Sequence, residues 1–399
     1  MADAGASPVD RPGDAIAGDA ADADRATSDR LASGRLAGAP DDDRIHLVVL
    51  FGGESAEHEV SCTTAAHVLA AADPTRYRIT PIGISTDGRW ALADAAAAAL
   101  ADGSDLPGRL DPAGTTVSPT PLLSAATAST SRTVVMPLLH GPMGEDGTVQ
   151  GLLELANVPY VGAGVLASSV AMDKAMAKQV TAAAGIPQAR HTAFAEHEIT
   201  PGLPQRLADE LGLPAFVKPA NMGSSVGVSK ATTVEELAAA IELALSYDEM
   251  VVVEEAVVGK EIEVAVLGNT EPEAATPGEI VPAADFYSYE DKYVDDGSYA
   301  LIPAPIGDEA LAEAKELAVR SYRAMRCEGL SRVDFFWEDP AEGGRGFLLN
   351  EINTMPGFTP ISMFPKMWIA DGVSYPEIID RLVDLALARH ARKRRNTKH

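Results

Sequence analysis

The segments Arg332-Val-Asp334 and Asn350-Glu-Ile-Asn353, near the carboxyl end, carry the most informative pattern of this chain. Apolar residues flank both segments, which is typical of strands, and two such strands side by side would bring Asp334, Glu351 and Asn353 onto one face. Oxygen atoms of this kind are ligands that Mg²⁺ prefers. Carboxylates about 4 Å apart repel by roughly 4 kcal/mol, and Mg²⁺ would remove this repulsion while binding the phosphates of a nucleotide. An ion pair between the arginine and either carboxylate is the alternative, and both interpretations stay open.

The composition limits the class and the location of the protein. With 399 residues the chain exceeds one ordinary core, so two or three domains are expected. A formal net charge of -26 argues against a nucleic-acid-binding protein, which would need a basic surface. Its two cysteines, Cys62 and Cys327, fit neither a zinc spacing nor a disulfide framework, which favours the reducing cytoplasm. No apolar run is long enough for a bilayer and the start lacks signal-peptide order, so no membrane association is expected.

The alternation of strands and helices divides the chain into five regions. Residues 1–43 contain no aromatic residue and are rich in Ala, Asp, Gly and Arg, so we expect disorder there. Strands alternate with helices over residues 44–165, which indicates a parallel α/β layer. Residues 166–254 and 255–390 follow as two further folded regions, and residues 391–399 form a basic tail that we expect to be solvated.

The individual elements follow from hydrophobic runs and their periodicity. Strands are predicted at residues 45–51, 77–84, 133–139, 214–218, 228–230, 250–254 and 262–267. Helices are predicted at residues 59–71, 148–156, 168–184, 234–245, 309–326 and 378–389. The alanine-rich residues 93–120 are interpreted as a peripheral helix and a variable loop.

A glycine- and serine-rich loop at residues 219–227 connects two of the predicted strands. Its glycines would let backbone N–H groups approach phosphate oxygens, and Ser224 and Ser225 would add hydroxyl donors. Lys218 at the preceding strand end could neutralise phosphate charge, and Lys174 could be a second such cation. The loop lacks the P-loop pattern, so a hairpin turn, with Lys174 an ordinary surface lysine, is the alternative.

The junction at residues 254–261 joins the second and third regions. A strand edge there could present backbone groups to an adenine ring, and Glu261 could accept hydrogen bonds from ribose hydroxyls. A charged linker is the alternative.

Two strand-to-helix junctions, residues 52–59 and 140–147, end strands of the first region, where α/β proteins often bind ligands. At the first junction, helix N–H groups could bind a carboxylate while Glu57 binds an ammonium group, which would suit an amino acid. Capping of the helix by Ser55 is the alternative. At the second junction, His140 could orient a substrate-facing glutamate or serve as a structural histidine.

Two loops in the third region have possible roles around a reaction. Tyr287, Lys292 and Tyr293 interrupt a long polar loop, which could close as a lid or be an ordinary surface loop. In residues 355–362, Gly357 could present its backbone N–H group to a developing oxyanion, or the segment could be only a turn.

Taken together, these segments resemble the D-alanine–D-alanine ligases of the ATP-grasp superfamily. The resemblance runs from about residue 45 to residue 387, and several ordered motifs at fitting intervals make it specific. Its carriers are Gly52-Gly-Glu-Ser-Ala-Glu57-His-Glu-Val-Ser61, His140-Gly-Pro-Met-Gly-Glu-Asp-Gly147, Met172-Asp-Lys174, Gly223-Ser-Ser-Val-Gly227, Glu290-Asp-Lys-Tyr293, Ser331-Arg-Val-Asp334, Asn350-Glu-Ile-Asn353 and Pro356-Gly357.

The resemblance implies an α/β, three-domain ATP-grasp ligase. Residues 44–165 would be a Rossmann-like parallel-sheet substrate domain, and residues 166–254 and 255–390 would be two α+β lobes that clasp ATP. The implied activity joins two D-alanines to D-alanyl-D-alanine through an acyl phosphate, for peptidoglycan precursor synthesis. ATP would be the co-substrate, with two Mg²⁺ ions that Mn²⁺ can replace. A cytoplasmic homodimer is the family expectation.

The resemblance also implies roles for the residues that meet the two amino acids. Glu57, supported by Ser224 and His140, would bind the ammonium group of the first D-alanine. Ser362 and Lys292 would bind the carboxylate of the second.

Further roles concern the reacting atoms, the nucleotide and the metal. By the same resemblance, Arg332 and the Gly357 N–H group would stabilise the tetrahedral intermediate, and Tyr293 would close its loop toward Ser224. The nucleotide contacts would be Lys174, Lys218, Ser225, Glu254, the backbone near Val257, and Glu261. The metal ligands would be Asp334, Glu351 and Asn353.

Two departures and two alternatives accompany this assignment. Glu255 stands where the family often has a lysine, and residues 1–43 have no counterpart. Tyr293 matches the dipeptide-forming enzymes, which favours D-alanine over D-lactate as second substrate. The first alternative is a different ATP-grasp enzyme, either another carboxylate–amine ligase or a kinase that stops at the acyl phosphate. The second alternative is a non-catalytic nucleotide-binding protein. The junction at Glu57 and the segment of Ser362 argue against the first alternative, and Arg332 argues against the second.

Overall fold

The computed structural model describes residues 43–119, 132–281 and 299–393. Several predictions fall elsewhere in the chain, so they lie outside the described residues. They concern the disorder of residues 1–42, the end of the basic tail, and the loop residues Tyr287, Lys292 and Tyr293.

The first sheet has five strands in the order β4-β3-β2-β1-β5. Strand β1 (Ile45–Gly52) pairs in parallel with β2 (Tyr77–Ile84) and β5 (Thr133–Pro137). At one edge, β3 (Trp90–Leu92) and β4 (Thr115–Thr116) add antiparallel pairs. The predicted parallel α/β layer is therefore confirmed for β2, β1 and β5.

Strand β1 is apolar on both faces because helices cover the sheet from both sides, as in other parallel sheets. Leu47 and Phe51 face one apolar core, which Cys62 of helix α1 (His58–Ala71) also enters. Val48 faces a second core, together with residues of helix α3 (Thr148–Leu155). Between these helices in the chain, the predicted peripheral helix is α2, whose bounds are Asp94–Asp102.

We expect His46, at the start of β1, to make the stability of the protein sensitive to acid. Its Nε2 lies 2.9 Å from Thr80 Oγ1, and burial, aided by Arg78, lowers the pKa of its imidazole from 6.5 to about 4. Because the pKa of His46 is lower in the folded protein than in the unfolded chain, the unfolded chain binds the proton more readily. The contribution of His46 to the free energy of unfolding is therefore present above pH 6.5 and is lost as the pH falls toward 4. We expect the free energy of unfolding to fall by up to roughly 3 kcal/mol over this range, and His46→Gln to remove that part of the slope.

Urea unfolding at several pH values between 7 and 4 measures this contribution. His197→Gln, at an exposed position, is the matched control and should keep the wild-type slope. If the free energy of unfolding fell equally with pH in His46→Gln and in the wild type, His46 would not be the source of the acid sensitivity.

The second sheet is antiparallel, with the strand order β6-β9-β7-β8. Its strands are β6 (His191–Ala195), β7 (Ala215–Pro219), β8 (Ser229–Ala231) and β9 (Met250–Glu255). The helices of this part of the chain are α4 (Val165–Met172), α5 (Lys174–Ala183), α6 (Leu203–Leu211) and α7 (Val234–Leu245).

The prediction of one continuous helix over residues 168–184 is wrong. The helix is interrupted at Asp173, whose backbone is extended at φ -79° and ψ 101°. The Asp173 side chain accepts a hydrogen bond from Met176 N and thereby caps the second helix, α5. The break lies immediately before Lys174, so this residue, a predicted phosphate contact, is the first residue of helix α5.

The third sheet follows the order β13-β12-β10-β14-β15, and β11 pairs with β10. Its strands are β10 (Lys260–Gly268), β11 (Glu273–Ala274), β12 (Gly278–Val281), β13 (Tyr299–Leu301), β14 (Gly329–Glu338) and β15 (Gly346–Asn353). The accompanying helices are α8 (Asp308–Ala324), α9 (Met363–Ala370) and α10 (Tyr375–Arg392). No helix among the described residues has both the length and the apolar character needed to cross a membrane.

The last helix, α10, connects the end of the chain to the first sheet. Ile379 shares one apolar core with Leu47 of β1. Arg389 is buried and donates to the carbonyl oxygens of Tyr160, at 2.8 Å, and Gly162. Its guanidinium also lies 4.2 Å from the centroid of the Tyr160 ring. The first sheet and the carboxyl-terminal helix therefore form one packing unit.

Residues 391–393, at the beginning of the predicted basic tail of residues 391–399, are exposed to solvent. Helix α10 continues to Arg392, which forms an ion pair with Glu328. Lys393 forms an ion pair with Glu154. These are ion pairs at the surface, so they agree with the predicted solvation of this part of the tail.

Candidate active site

A cavity of about 640 Å³ has walls from all three parts of the described chain. It brings together nine of the predicted site residues: Glu57, His140, Lys174, Ser224, Arg332, Glu351, Asn353, Gly357 and Ser362. Six others are not in the cavity wall: Lys218, Ser225, Glu254, Val257, Glu261 and Asp334. Lys292 and Tyr293 lie outside the described residues.

A row of acidic side chains crosses three strands of the third sheet next to this cavity. Glu263 of β10 is paired with Asp334 of β14, which is paired with Glu351 of β15. In the same register Arg332 is opposite Asn353. Residues two apart on a strand share a face, so the arginine, the carboxylates and the amide all project from one side of the sheet.

A bulge at Asn350 puts Glu351 on that side. Phe335 is paired with Leu349 and Asp334 with Glu351, so Asn350 is the extra residue on β15. Leu349 and Ile352 both enter the apolar core, although an unbroken strand would point them to opposite faces. The bulge therefore lets β15 bury its apolar residues and still direct Glu351 into the cavity.

Arg332 forms the ion pair that the sequence left as an alternative. Its Nε donates to Asp334 Oδ1 at 2.8 Å and its Nη2 to Asp334 Oδ2 at 2.7 Å, and Nε lies 3.1 Å from Glu263 Oε2. Burial opposes the charged form, but Asp334 and Glu263 hold the pKa of Arg332 well above its usual value. Glu263 was not among the predicted site residues, although its alternation with Ile262 and Val264 on a buried strand was a usable signal.

The donors near Arg332 are compatible with a metal ion that arrives with a nucleotide. Among the described residues no group of three or more His, Cys, Asp or Glu side chains is arranged to hold a metal. Mg²⁺ is usually bound by one or two carboxylates together with substrate phosphates. Two carboxylates and the Asn353 amide oxygen meet that requirement, and a carboxylate engaged by Arg332 keeps further lone pairs for a cation.

Glu57 lies where the first and second sheets approach each other. It is the residue before helix α1, and Ser55 Oγ accepts a hydrogen bond from its backbone N–H at 3.2 Å. A Cβ atom on Gly223 would lie 3.2 Å from Glu57 Oε2, and one on Gly141 would lie 3.4 Å away. Glycine at both positions therefore lets the two loops approach the Glu57 carboxylate closely. The Glu57 side chain lines the cavity and does not cap the helix.

His140 is buried beside Glu145, a carboxylate of the same strand-to-helix junction. His140 Nδ1 lies 3.0 Å from the Met355 carbonyl oxygen and 3.4 Å from Glu145 Oε1, and its Nε2 is buried without a hydrogen-bond partner among the described residues. Burial raises the pKa of Glu145, and His140 offsets only part of that rise. Both residues line the cavity next to Glu57, so the first junction and the second form one acidic pocket.

Three of the predicted nucleotide contacts, Lys174, Lys218 and Glu254, form a largely buried cluster of charges. Lys218 Nζ lies 2.9 Å from Glu254 Oε2 and donates to Asn350 Oδ1 at 3.2 Å. Lys178 Nζ lies 2.8 Å from the other oxygen of Glu254. Lys174 Nζ donates to the Met222 carbonyl oxygen, and burial lowers the pKa of this lysine. Lys178 was not among the predicted site residues, although it follows Lys174 by four residues on the same helix face.

Glu255, which replaces a lysine common in the family, connects the second and third sheets. Its Oε2 lies 2.7 Å from Arg190 Nε, and its Oε1 lies 2.6 Å from Arg345 Nη1. Arg345 also pairs with Glu338 at 2.7 Å. An ionic link between strand ends is therefore the local role of this glutamate.

Ser362 and Gly357 line the same cavity as Glu57. Ser362 precedes helix α9, and its Oγ lies 2.8 Å from Thr359 Oγ1. A Cβ atom on Gly357 would lie 3.0 Å from Ser362 Oγ, so a side chain at this position would crowd the serine.

Comparison with known proteins gives these residues a context. The family models described as D-ala D-ala ligase N-terminus and C-terminus match residues 46–163 and 180–384. The chain belongs to the D-alanine–D-alanine ligase family. The D-alanine–D-alanine ligase of Bacillus pumilus is 46% identical over 358 residues, which cover 88% of this chain and 98% of that protein.

Two solved structures extend the similarity to the D-alanine–D-alanine ligase fold. The VanG D-Ala:D-Ser ligase from Enterococcus faecalis has a TM-score of 0.72 and 34% identity, covering 86% of this chain and 99% of that one. The D-alanine–D-alanine ligase from Bacillus anthracis, complexed with ATP, has a TM-score of 0.66 and 26% identity, covering 87% and 98%. The predicted ATP-grasp architecture is thereby confirmed, and the predicted domain boundaries and residue roles stay predictions.

Proposed function

We propose that this protein joins two D-alanines to D-alanyl-D-alanine at the expense of ATP, for peptidoglycan precursor synthesis. One observation carries the proposal. The acidic side chains Glu57 and Glu145 line the same cavity as Arg332, Glu351 and Ser362. A site that only bound a nucleotide would need neither the acidic pocket around Glu57 nor Ser362, because each suits a charged group of a small amino acid.

The reaction that fits these groups has two steps. The carboxylate of the first D-alanine attacks the γ-phosphate of ATP, which gives an acyl phosphate and ADP. The amine of the second D-alanine then attacks the acyl carbon, and inorganic phosphate leaves. Phosphorylation is needed because a free carboxylate is a poor acyl donor, and water must be excluded because it would hydrolyse the acyl phosphate.

The proposed roles of the residues that meet the two amino acids follow from their charges and hydrogen-bonding groups. Glu57, with His140 and Ser224 nearby, would bind the first ammonium group, and Ser362 would bind the second carboxylate. Arg332 would donate to the oxyanion of the tetrahedral intermediate, together with the Gly357 N–H group. Donors fixed in advance in this way lower the barrier without reorganising during the reaction.

Nucleotide and metal would be held by residues in the wall of the cavity and beside it. Lys174, Lys218, Ser225, Glu254, the backbone at Val257 and Glu261 are the proposed nucleotide contacts. Asp334, Glu351 and Asn353 would hold two Mg²⁺ ions, or Mn²⁺. When bound, these ions neutralise charge on the transferring phosphoryl group.

The proposal extends to the domains, the closing loop and the cellular setting. Residues 44–165 would bind substrate, and residues 166–254 and 255–390 would clasp ATP. Lys292 and Tyr293 would bind the second carboxylate and close the loop toward Ser224. The protein would work in the cytoplasm as a homodimer, an expectation from the family that light scattering of the purified protein tests.

Phosphate release from ATP tests the proposal, with D-alanine, L-alanine, D-serine and D-lactate supplied in parallel. We expect release and D-alanyl-D-alanine formation with D-alanine, background release with L-alanine, and little D-lactate incorporation at neutral pH. Release without dipeptide would favour a kinase that stops at the acyl phosphate. Efficient use of D-serine or D-lactate would refute D-alanine as the second substrate.

A further inference from the structure

Lys178 is a buried cation that the proposed reaction does not use directly. Its side chain and that of Glu254 are each 4% exposed, and Lys178 Nζ lies 2.8 Å from Glu254 Oε1. The second oxygen of Glu254 is 2.9 Å from Lys218 Nζ. Glu254 is therefore shared between two lysines, one on helix α5 and one at the end of β7.

This cluster carries one positive charge in excess, since two ammonium groups share one carboxylate. Lys174 adds another cation, and its Nζ donates to a carbonyl oxygen instead of a carboxylate. Burying charge without compensation is costly, so such a cluster favours an anionic ligand beside it. Glu351, which lines the cavity, interacts electrostatically with both Lys174 and Lys218.

We propose that Lys178 is a positioning residue for the nucleotide phosphates, because it takes up part of the charge of Glu254 and leaves Lys218 free to attract phosphate. Without Lys178, Glu254 and Lys218 would form a closed one-to-one pair. Lys218 would then keep its place, held also by Asn350 Oδ1 at 3.2 Å, but its charge would be largely cancelled. This inference rests on the proposed function, since it assumes that nucleotide binds beside the cluster.

The test compares the binding of ADP with that of adenosine, which has the base and sugar but no phosphate. Calorimetric titration with Mg²⁺ and each ligand should show that Lys178→Met weakens ADP at least tenfold and adenosine by less than threefold. Lys178→Arg should keep the wild-type ratio of the two affinities. Lys230→Met removes an exposed lysine on β8 of the same sheet and is the matched control, with no change expected.

A second variant separates charge balance from simple damage. Lys178→Met combined with Glu254→Gln removes one charge of each sign, so the ratio of ADP to adenosine affinity should return to within threefold of the wild type. This double variant keeps the net charge of the wild type, and it decides the question alone if Lys178→Met does not fold. A ratio that stays tenfold reduced in the double variant would overturn the inference.

The two proposals fail in different ways. A wild-type protein that neither binds ADP nor releases phosphate with D-alanine would contradict the proposed function. An active wild type with an unchanged ratio of affinities in Lys178→Met would contradict only the role of Lys178.

Discussion

Glu351→Gln should reduce turnover at least about a hundredfold, because metal ions supply several kcal/mol of charge stabilisation and each 1.4 kcal/mol is about tenfold in rate. Glu351 is only half-buried and glutamine has nearly the same shape, so the fold should persist. Steady-state phosphate release measures the loss, and circular dichroism checks the fold. Electron paramagnetic resonance of Mn²⁺ in the presence of ATP gives a second readout, in which the variant should retain less bound Mn²⁺.

Glu342→Gln is the control for this experiment. Glu342 is exposed in the turn between β14 and β15, so its replacement should leave turnover and Mn²⁺ binding at wild-type levels. Near-normal turnover of Glu351→Gln would remove this residue from the proposed metal site.

Arg332→Lys should lower kcat by about a hundredfold to a thousandfold, the usual cost of losing one oxyanion donor. Lysine keeps the positive charge but cannot hold both oxygens of Asp334 while also meeting Glu263. The KM for ATP should change much less, since the donor acts mainly on the tetrahedral intermediate. Separate kcat and KM values from phosphate-release assays test this split.

Arg345→Lys provides the comparison, because it also breaks a two-carboxylate ion pair but lies between Glu255 and Glu338, away from the cavity. It should lose some thermal stability and little kcat. If the kcat of Arg332→Lys stayed within fivefold of the wild type, the role of Arg332 would be limited to its ion pairs with Glu263 and Asp334.

Local alternation and short motifs predicted the architecture well. Both faces of β1 are apolar, and that run already indicated a buried parallel strand. The motif residues Arg332, Glu351 and Asn353 are brought together as predicted because they lie on adjacent strands in register.

What the sequence could not provide depends on contacts between distant elements. The bulge at Asn350 breaks the period of two, so alternation alone would have put Leu349 and Glu351 on the same face. The break at Asp173 depends on a single capping hydrogen bond within an otherwise helical pattern. The proposed role of Lys178 depends on its ion pair with Glu254, which is far away in the chain.

The packing of helix α10 against β1 has a consequence for synthesis of the protein. The apolar core under β1 includes Ile379, and Arg389 completes the hydrogen bonding of two carbonyl groups near residue 161. Domains usually fold in the order in which they leave the ribosome. Here helix α1 covers only part of one apolar face of the first sheet, and that core is complete only after translation has reached the last helix.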